Sequence, residues 1–210
     1  MKLRVKPEEK VWGDFQEMEK LSDEQVAKFK DFERFLSQCN EEFNLTAIKD
    51  LSGIVRNHFQ DSLAASKFAD LSSVKCICDI GTGGGFPGIP LKILYPHLNV
   101  ILIEVTKKKV QYLTDLINLL ELNDVEICEL DWRTFVRKAD YPIDIFVTRA
   151  AIDEVELIRV LKPASLLKKA QIVYWASQDW QCHAKAQPFM KKIETYKLGN
   201  KNRKLVFFGI

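Results

Sequence analysis

The pattern of apolar and polar positions changes character near residue 74. Before that point, Ser22 and Gln25 form a capping box, and apolar residues at helical spacing predict an amphipathic helix that ends near Asn40. After it, short apolar runs alternate with helical patterns, which is typical of a parallel sheet with crossover helices. Strands are predicted at about 75–80, 99–104, 125–129, 143–148 and 170–175, and a closing pair of strands at about 193–196 and 204–208. Helices are predicted at about 87–95, 106–120, 132–138 and 151–161, the second of them capped by Thr106.

The order of these elements predicts an α/β fold built on a mostly parallel, seven-stranded, Rossmann-like sheet. We expect a single globular unit, in which a helical region of residues 1–73 packs on a core of residues 74–210. A monomer is expected.

The composition is that of an ordinary globular protein. The chain has 210 residues, of which 47% are hydrophobic, with 9 glycines and 7 prolines, so disordered and collagenous classes are excluded. No apolar run approaches the ~18 residues of a membrane span, and the first residues lack the apolar stretch of a secretion signal. We therefore expect a soluble, cytoplasmic protein without membrane association. The five cysteines lack the spacing of a zinc site or a disulfide framework, so no metal is expected.

Charge is distributed unevenly along the chain. The formal net charge is +2, yet residues 1–150 carry 20 basic and 24 acidic side chains, whereas residues 151–210 carry 11 basic and 5 acidic ones. This C-terminal basic excess predicts a surface that contacts phosphate. A solvated, solubilising face is the alternative explanation.

The most informative segment is the glycine-rich turn after the first predicted strand. Asp79, Gly81, Gly83 and Gly85 give the pattern D-x-G-x-G-x-G, in which backbone N–H groups face a ligand without obstructing Cβ atoms. The turn also satisfies the dinucleotide pattern G-x-G-x-x-G, which keeps an oxidoreductase as a distant alternative. A carboxylate at Asp79 repels a pyrophosphate but pairs, directly or through water, with an ammonium group. The acid therefore favours S-adenosylmethionine, which has an ammonium group and no phosphate.

A second carboxylate supports this interpretation. Glu104 ends the second predicted strand, 19 residues after Gly85, where an acid can accept hydrogen bonds from two ribose hydroxyls. The alternative is that Glu104 caps the following helix. In combination with Asp79, Glu104 favours a methyltransferase over a dehydrogenase.

The turn and several flanking motifs resemble one family. Residues 81–91 are similar to the G-T-G-x-G-[LF]-P-G-[IL]-P-L segment of the bacterial ribosomal RNA small-subunit methyltransferase G family, also called glucose-inhibited division protein B. The N-L-T, H-x-x-D-S and S-R-A signatures of that family resemble residues 43–48, 58–63 and 148–150. Glu104 and Lys108 match the acid and the lysine after the second strand. The resemblance is close over about residues 40–150 and loose in the tail.

The resemblance implies a Rossmann-like S-adenosylmethionine-dependent methyltransferase fold and methylation of N7 of one guanine in small-subunit (16S) ribosomal RNA. S-adenosyl-L-methionine would be the cofactor, and the ribosomal RNA or the ribosomal particle would be the partner. Because guanine N7 already carries a free lone pair, this reaction needs no general base. Alignment of N7, methyl and sulfur would supply up to ~7–11 kcal/mol.

The resemblance also implies roles for particular residues. The cofactor would be bound by the turn, the acid of the second strand, the segment after the third strand and the arginine of the fourth strand: Asp79, Gly81, Thr82, Gly83, Gly85, Phe86, Glu104, Asp131, Trp132, Arg133 and Arg149. The catalytic candidates are Arg149 and a polar cluster of Asn44, His58 and Asp61. The RNA would be contacted around one pocket mouth by Thr46, Arg56, Lys107, Lys108, Lys109, Lys168, Lys169 and Arg203.

Two positions depart from the family pattern. Where the family commonly has R-[AV]-E after the third strand, this chain has Asp131, Trp132 and Arg133, which puts an arginine where a carboxylate would accept from the adenine amino group. Residues 161–165 and 176–177 replace L-K-P-G-G and K-G, so a lysine suited to RNA is missing. A methyltransferase for another RNA or a small molecule, and a non-catalytic RNA-binding or ribosome-assembly protein with this fold, therefore remain alternatives.

Overall fold

A seven-stranded sheet forms the centre of the computed structural model, which describes residues 6–138, 140–149, 151–163, 165 and 167–210. The strands are β1 (Cys76–Ile80), β2 (Asn99–Ile103), β3 (Val125–Cys128), β4 (Ile145–Arg149), β5 (Gln171–Ala176), β6 (Met190–Leu198) and β7 (Lys201–Phe208). Their order is β3-β2-β1-β4-β5-β7-β6, with β1 to β5 parallel and β7 antiparallel to both of its neighbours. The predicted α/β fold with a mostly parallel, seven-stranded sheet is confirmed. The motif positions Ala150 and Ala164 lie outside the described residues.

Helices precede the sheet and connect its strands. They are α1 (Pro7–Glu19), α2 (Asp23–Phe43), α3 (Leu51–Ile54), α4 (Asp61–Leu63), α5 (Gly88–Leu94), α6 (Lys107–Leu119), α7 (Trp132–Lys138) and α8 (Glu154–Leu157). A π-helical turn (Val55–Gln60) joins α3 to α4, and 3-10 turns follow at Ala64–Lys67, Ile158–Leu161 and Gln187–Phe189. The predicted capping box starts α2, because Ser22 Oγ accepts from the Gln25 N–H and Gln25 Oε1 accepts from the Ser22 N–H.

The sequence pattern missed two helical segments and predicted one side-chain cap that the structure lacks. Helix α1 buries only Trp12 and Phe15, so its apolar stripe is too sparse to stand out. The short, differently wound turns of residues 51–67 do not share one helical period. The prediction that the Thr106 side chain caps α6 is wrong, because that side chain makes no cap hydrogen bond.

One apolar core joins the N-terminal helices to the sheet. The Phe29 and Phe59 rings lie 4.9 Å apart, and Phe32 stacks on Phe86 of the glycine-rich turn with ring centroids 5.1 Å apart. These four rings belong to the same buried cluster as side chains of β1, β2 and β4, and burial of each phenylalanine contributes about 1.5–3 kcal/mol. The N-terminal helices are therefore fastened directly to the turn. The predicted boundary at residue 73 stays a prediction.

The strand order reverses beside β1, which has β2 on one side and β4 on the other. In open α/β sheets, the crevice outside the carboxyl ends of the strands at such a switch point is where ligands bind. The glycine-rich turn, Glu104 and Arg149 all lie at these carboxyl ends. The topology therefore places the predicted site residues of three strands at one edge.

Candidate active site

The glycine-rich turn runs from β1 into α5 in a conformation that favours glycine. Gly81, Gly83 and Gly85 have φ angles of 67°, 59° and 93°, a region that residues with a Cβ adopt only at a steric penalty. A Cβ on Gly83 would meet nothing closer than the Gly81 carbonyl oxygen, 3.9 Å away. The turn therefore leaves an open cradle at Gly83.

The other two glycines serve the packing of the protein itself. A Cβ on Gly81 would lie 2.4 Å from the Ala151 Cβ, and a Cβ on Gly85 would lie 2.9 Å from Cγ1 of Ile89. Both distances are shorter than real Cβ contacts allow. Gly81 thus permits close approach of the segment after β4, and Gly85 permits close approach of α5.

Asp79 supports the turn from below and is fully buried. Its Oδ2 accepts hydrogen bonds from Thr82 Oγ1 and the Gly88 N–H, both at 2.7 Å. Desolvation raises the pKa of Asp79 to about 7. Its Oδ1 is buried and has no hydrogen-bond partner among the described residues.

These contacts correct the sequence-based roles of Asp79 and Thr82. Direct pairing of Asp79 with a ligand ammonium is wrong for this structure, because the carboxylate has no exposed surface. Pairing through water stays a prediction. The Thr82 side chain is also buried and holds Asp79 rather than facing a ligand.

A cleft opens between the turn, the end of β2 and the start of α7. The predicted residues that line it are Gly81, Glu104, Asp131 and Trp132. Its apolar walls are completed by Ile80, Ile103, Val105, Ala151 and Ile152. The cleft therefore combines a buried carboxylate with an apolar slot, as expected of a small-molecule site.

Glu104 orders the two residues that precede α6 and faces this cleft. Its Oε1 accepts from the backbone N–H groups of Val105 and Thr106 at 3.0 and 2.9 Å. Its Oε2 lies 3.8 Å from Lys109 Nζ. Neither donor belongs to α6, so the alternative that Glu104 caps that helix is not supported, while Oε2 retains acceptor capacity for a ligand.

The segment after β3 contributes two of its three predicted residues to the cleft. Asp131 accepts from the N–H and the hydroxyl of Thr134, and these bonds lower the pKa of Asp131. The Trp132 indole donates to the Glu156 carbonyl oxygen at 3.2 Å, which fixes it as a wall of the cleft. Arg133 instead pairs with the Glu156 carboxylate at 3.2 Å. Arg133 is not among the residues that line the cleft, and its predicted contact with a cofactor stays a prediction.

A polar cluster surrounds Arg149 at the carboxyl end of β4. Arg149 Nη1 donates to the Asn57 carbonyl oxygen at 2.8 Å and to Asp61 Oδ2 at 3.1 Å, and Nη2 donates to His58 Nδ1 at 3.0 Å. The guanidinium also lies 5.2 Å from the centroid of the Phe86 ring. Among the described residues, the Nε–H and one Nη2 N–H have no partner. Arg149 is thus oriented by the protein while two N–H groups remain for a ligand.

His58 is a neutral member of this cluster. Burial, followed by the charge of Arg149, lowers the pKa of His58 to about 3. Since Nδ1 accepts from Arg149, the ring proton is assigned to Nε2, which lies 2.7 Å from Thr46 Oγ1. Both ring nitrogens are therefore engaged within the protein.

Asp61 links Arg149 to the far end of the chain. Tyr196 of β6 donates its phenol to Asp61 Oδ1 at 2.6 Å, and the Trp175 indole of β5 donates to the Asp61 backbone oxygen at 2.7 Å. Asn40 completes the cluster by exchanging hydrogen bonds with the Thr46 backbone. Sequence reasoning missed Asn40, Trp175 and Tyr196, and only the proximity of Asn40 to the N-L-T motif offered a local signal.

Two further predicted side chains lie elsewhere than expected. Asn44 is an exposed residue at the C-terminal cap of α2 with a φ of 50°, and its side chain has no hydrogen bond to the cluster among the described residues. The prediction that it is a catalytic group is not supported by this position. The Phe86 ring is sandwiched between Phe32 and His58, with centroids 5.1 and 4.7 Å away, so it anchors the N-terminal helices rather than lining the cleft.

The predicted RNA-contacting lysines do not share one pocket mouth. Lys107 pairs with Glu129, and Lys109 lies near Glu104, whereas Lys108 is exposed. Lys169 lines a different cavity beside Ile145 and Gln171, the first residues of β4 and β5. That cavity lies at the amino edge of the parallel strands, so the placement of Lys169 and its neighbour Lys168 beside the site is wrong.

Together, the strand order with its final antiparallel pair, the glycine-rich turn after β1 and the acid after β2 define a Rossmann-like methyltransferase fold. A mutant of MtNAS in complex with S-adenosylmethionine is similar, with a TM-score of 0.57 and 12% sequence identity over 94% of this chain and 83% of that one. Precorrin-6y C5,15-methyltransferase from Geobacter metallireducens gives a TM-score of 0.53 and 13% identity over 71% of this chain and 88% of that one. These likenesses show the fold.

The sequence identifies the family within this fold. The profile of the family described as rRNA small subunit methyltransferase G matches residues 25–205, and the chain belongs to that family. Relatives named ribosomal RNA small subunit methyltransferase G include one from Lysinibacillus sphaericus, 38% identical over 62% of this chain and 56% of the relative. Another, from Aster yellows witches'-broom phytoplasma, is 44% identical over 50% of each chain. The matches thus span about half the length of these relatives.

No helix formed by the described residues has the length and apolarity needed to cross a membrane. Within the same residues, no group of three or more histidine, cysteine, aspartate or glutamate side chains is arranged to hold a metal ion.

Proposed function

We propose that this protein transfers a methyl group from S-adenosylmethionine to N7 of a guanine in small-subunit (16S) ribosomal RNA. The proposal rests on one juxtaposition in a chain of this family: the Glu104 carboxylate faces a cleft that is also lined by Gly81 of the glycine-rich turn, two residues before the open position at Gly83. The ribosomal RNA, alone or in a ribosomal particle, is the proposed partner.

The residues present fit this cofactor. The space beside Gly83, which a Cβ would enter, suits the methionyl part, and Glu104 Oε2 suits the ribose hydroxyls. Trp132 and Ile103 offer apolar surface for the adenine. The unpartnered Oδ1 of buried Asp79 favours a positive group nearby, reached through water. When bound, this cofactor supplies a methyl group activated by a sulfonium.

The proposed chemistry uses the protein for alignment rather than for proton transfer. Bound S-adenosylmethionine would supply an electrophilic methyl group with sulfur as its leaving group, and guanine N7 would accept that methyl group through its free lone pair, with no proton to remove. His58 is neutral and hydrogen-bonded at both nitrogens, so it is not poised as a base. The two remaining N–H groups of Arg149 would hold the cofactor carboxylate or an RNA phosphate.

A binding experiment with Glu104→Gln tests the cofactor site. The amide oxygen can still accept from the Val105 and Thr106 N–H groups, so the fold should survive. Loss of a charge-assisted bond of about 1.5–3 kcal/mol should weaken S-adenosylmethionine binding at least tenfold in calorimetry. Asp131→Asn, at the rim of the same cleft, is the matched control and should change the affinity less. Wild-type protein that binds no S-adenosylmethionine at millimolar concentration would exclude the proposed function.

A substrate experiment tests the acceptor. Methyl transfer by the wild-type protein to small-subunit particles, naked ribosomal RNA and transfer RNA is compared, and the modified base is mapped. We expect label at guanine N7 in the small-subunit RNA. Label only in transfer RNA, or in no RNA, would contradict the proposed substrate.

A further inference from the structure

The hairpin of β6 and β7 projects past the edge of the sheet that carries the candidate site. Ala176, the last residue of β5, pairs with Lys204, and the hairpin continues for three more residues to the Lys201–Leu198 pair before it turns. At ~3.3 Å per residue, this overhang reaches about 10 Å beyond the carboxyl end of β5. We call its residues 195–203 the hairpin tip.

The hairpin tip is anchored beside the Arg149 cluster. Tyr196 donates to Asp61, whose other oxygen accepts from Arg149. At the turn itself, a Cβ on Gly199 would lie 3.0 Å from Cδ of Arg56, so the Arg56 side chain packs against the turn. Both contacts are made with the helical turns of residues 55–63, so they fix the tip beside the Arg149 cluster.

The tip carries positive charge that the protein does not neutralise. Lys197, Lys201 and Arg203 are its only charged residues, and Arg56 adds a fourth cation. Among the described residues, none of these four forms a salt bridge. Lys107 and Lys192, in contrast, are neutralised by ion pairs with Glu129 and Glu194.

We propose that the hairpin tip, with Arg56, is the RNA-docking surface that holds the phosphates next to the target guanine. The partner's chemistry follows from unneutralised cations on both faces of the overhang, with Lys201 and Arg203 on one face and Lys197 on the other, and from Arg56 beside the turn. A phosphate backbone presents regularly spaced negative charge that such cations can contact. The proposal rests on the proposed function and deepens it by locating the RNA. It also replaces the predicted Lys168 and Lys169 surface, which lies at the opposite edge of the sheet.

The test compares two double variants with identical charge changes. Lys197→Glu with Lys201→Glu alters the tip, and Lys168→Glu with Lys169→Glu alters the opposite edge, so both change the net charge equally. With naked small-subunit ribosomal RNA, we expect the tip variant to raise the apparent KM for RNA at least tenfold. It should leave kcat at saturating RNA and the affinity for S-adenosylmethionine unchanged, and the control variant should change KM less than threefold.

The salt dependence of RNA binding provides a second readout. Each lysine that no longer neutralises a phosphate should lower the slope of log affinity against log salt by about 0.7 for single-stranded RNA, so the tip variant should have a shallower slope than the wild type. Lys197→Gln with Lys201→Gln should show the same direction with a smaller effect, and circular dichroism should show that all variants are folded. Equal KM changes in the two charge-reversal variants, or a tip variant with wild-type KM and slope, would overturn the proposal.

The outcomes separate the two proposals. Wild-type protein that methylates ribosomal RNA while the tip variant binds RNA normally would refute the docking surface and leave the proposed function standing. Wild-type protein without methyl transfer to any RNA would refute the proposed function. In that case the RNA affinities of the two double variants still decide whether the tip binds RNA.

Discussion

On the two sides of the candidate site, the hydrogen-bonded residues are separated by very different numbers of positions in the sequence. On the β1 side, Asp79 and its two donors Thr82 and Gly88 lie within ten residues of one another. On the β4 side, Arg149 reaches residues about 90 positions away, and Asp61 then reaches Tyr196 across 135 positions. The turn is a local backbone structure that leaves space for a ligand, whereas the Arg149 cluster holds three parts of the fold together. Substitutions in the turn should therefore act mainly on binding, and substitutions in the cluster mainly on stability.

The largest expected effect is that of Asp61→Ala. Asp61 is buried and accepts from Arg149 and Tyr196, so its removal leaves the half-buried Arg149 charge without its counter-ion. Loss of one partner of such a pair typically destabilises by about 3–5 kcal/mol. Denaturant unfolding should show a decrease of this size in the free energy of unfolding.

The exposed pair of Lys107 and Glu129 is the matched control for that variant. Glu129→Ala should change the free energy of unfolding by less than about 1 kcal/mol, because solvent screens exposed ion pairs. If Asp61→Ala were no more destabilising than Glu129→Ala, the Arg149 cluster would not stabilise the contact between the N-terminal helices, β4 and the hairpin.

The next effect compares two glycines within the turn. Gly83→Ala places a Cβ in the open cradle, so it should weaken S-adenosylmethionine binding at least tenfold while left-handed φ costs only about 1–2 kcal/mol of stability. Gly85→Ala places its Cβ against Ile89 and should destabilise by about 2–4 kcal/mol. Calorimetry and denaturant unfolding on both variants measure the two effects. A larger loss of stability in Gly83→Ala than in Gly85→Ala would show that Gly83, and not Gly85, is the glycine that packing requires.

The same contrast explains what the sequence could predict. The turn was predictable because its glycines, its acid and the strand that precedes it are contiguous, so local backbone rules apply. The family resemblance pointed to His58, Asp61 and Arg149, but nothing local to residue 196 marks Tyr196 as their partner. Tyr196 reaches Asp61 only because β7 inserts between β5 and β6, a pairing that depends on the whole sheet.

The basic residues show the same limit. Charge counted along the sequence identified a cationic C-terminal part, but strand direction decides which edge each cation occupies. Lys169 precedes β5 and lies at the amino edge, whereas Lys201 follows the hairpin turn and overhangs the carboxyl edge. Two lysines of the same basic region of the sequence therefore lie at opposite edges of the sheet, one at the amino ends and one at the carboxyl ends of the parallel strands.

The two sides also differ in how pH affects their stability. His58 has a pKa lowered from 6.5 to about 3, so between these values the unfolded chain binds a proton that the folded chain does not, and stability rises with pH. Asp79 has a pKa raised from 3.8 to about 7, so the folded chain holds the extra proton and stability falls as pH rises through that window. The two slopes, each up to about 1.4 kcal/mol per pH unit, oppose one another.

Single variants should separate these opposed slopes. In Asp79→Asn, the His58 contribution remains, so the free energy of unfolding should rise more steeply between pH 4 and 6 than in the wild type, the window that both shifts share. In His58→Gln, the Asp79 contribution remains, and the free energy of unfolding should fall over the same range. Denaturant unfolding at several pH values measures both. Parallel slopes in the two variants would show that neither group titrates as its surroundings indicate.

The smallest expected effect is that of Tyr196→Phe, which removes one hydroxyl and keeps the ring. Asp61 still has Arg149 as a partner, so the loss of one hydrogen bond to a charged group should cost about 1.5–3 kcal/mol at most, less than Asp61→Ala. Because the phenol holds one Asp61 oxygen while Arg149 holds the other, its removal should also loosen the arginine. We therefore expect a lower kcat for methyl transfer in Tyr196→Phe. Thr195→Val, on the opposite face of β6, is the control and should leave kcat unchanged. A Tyr196→Phe protein with full kcat would show that Arg149 is held by β4 and the N-terminal helices alone, and the hairpin would then contribute to RNA binding only.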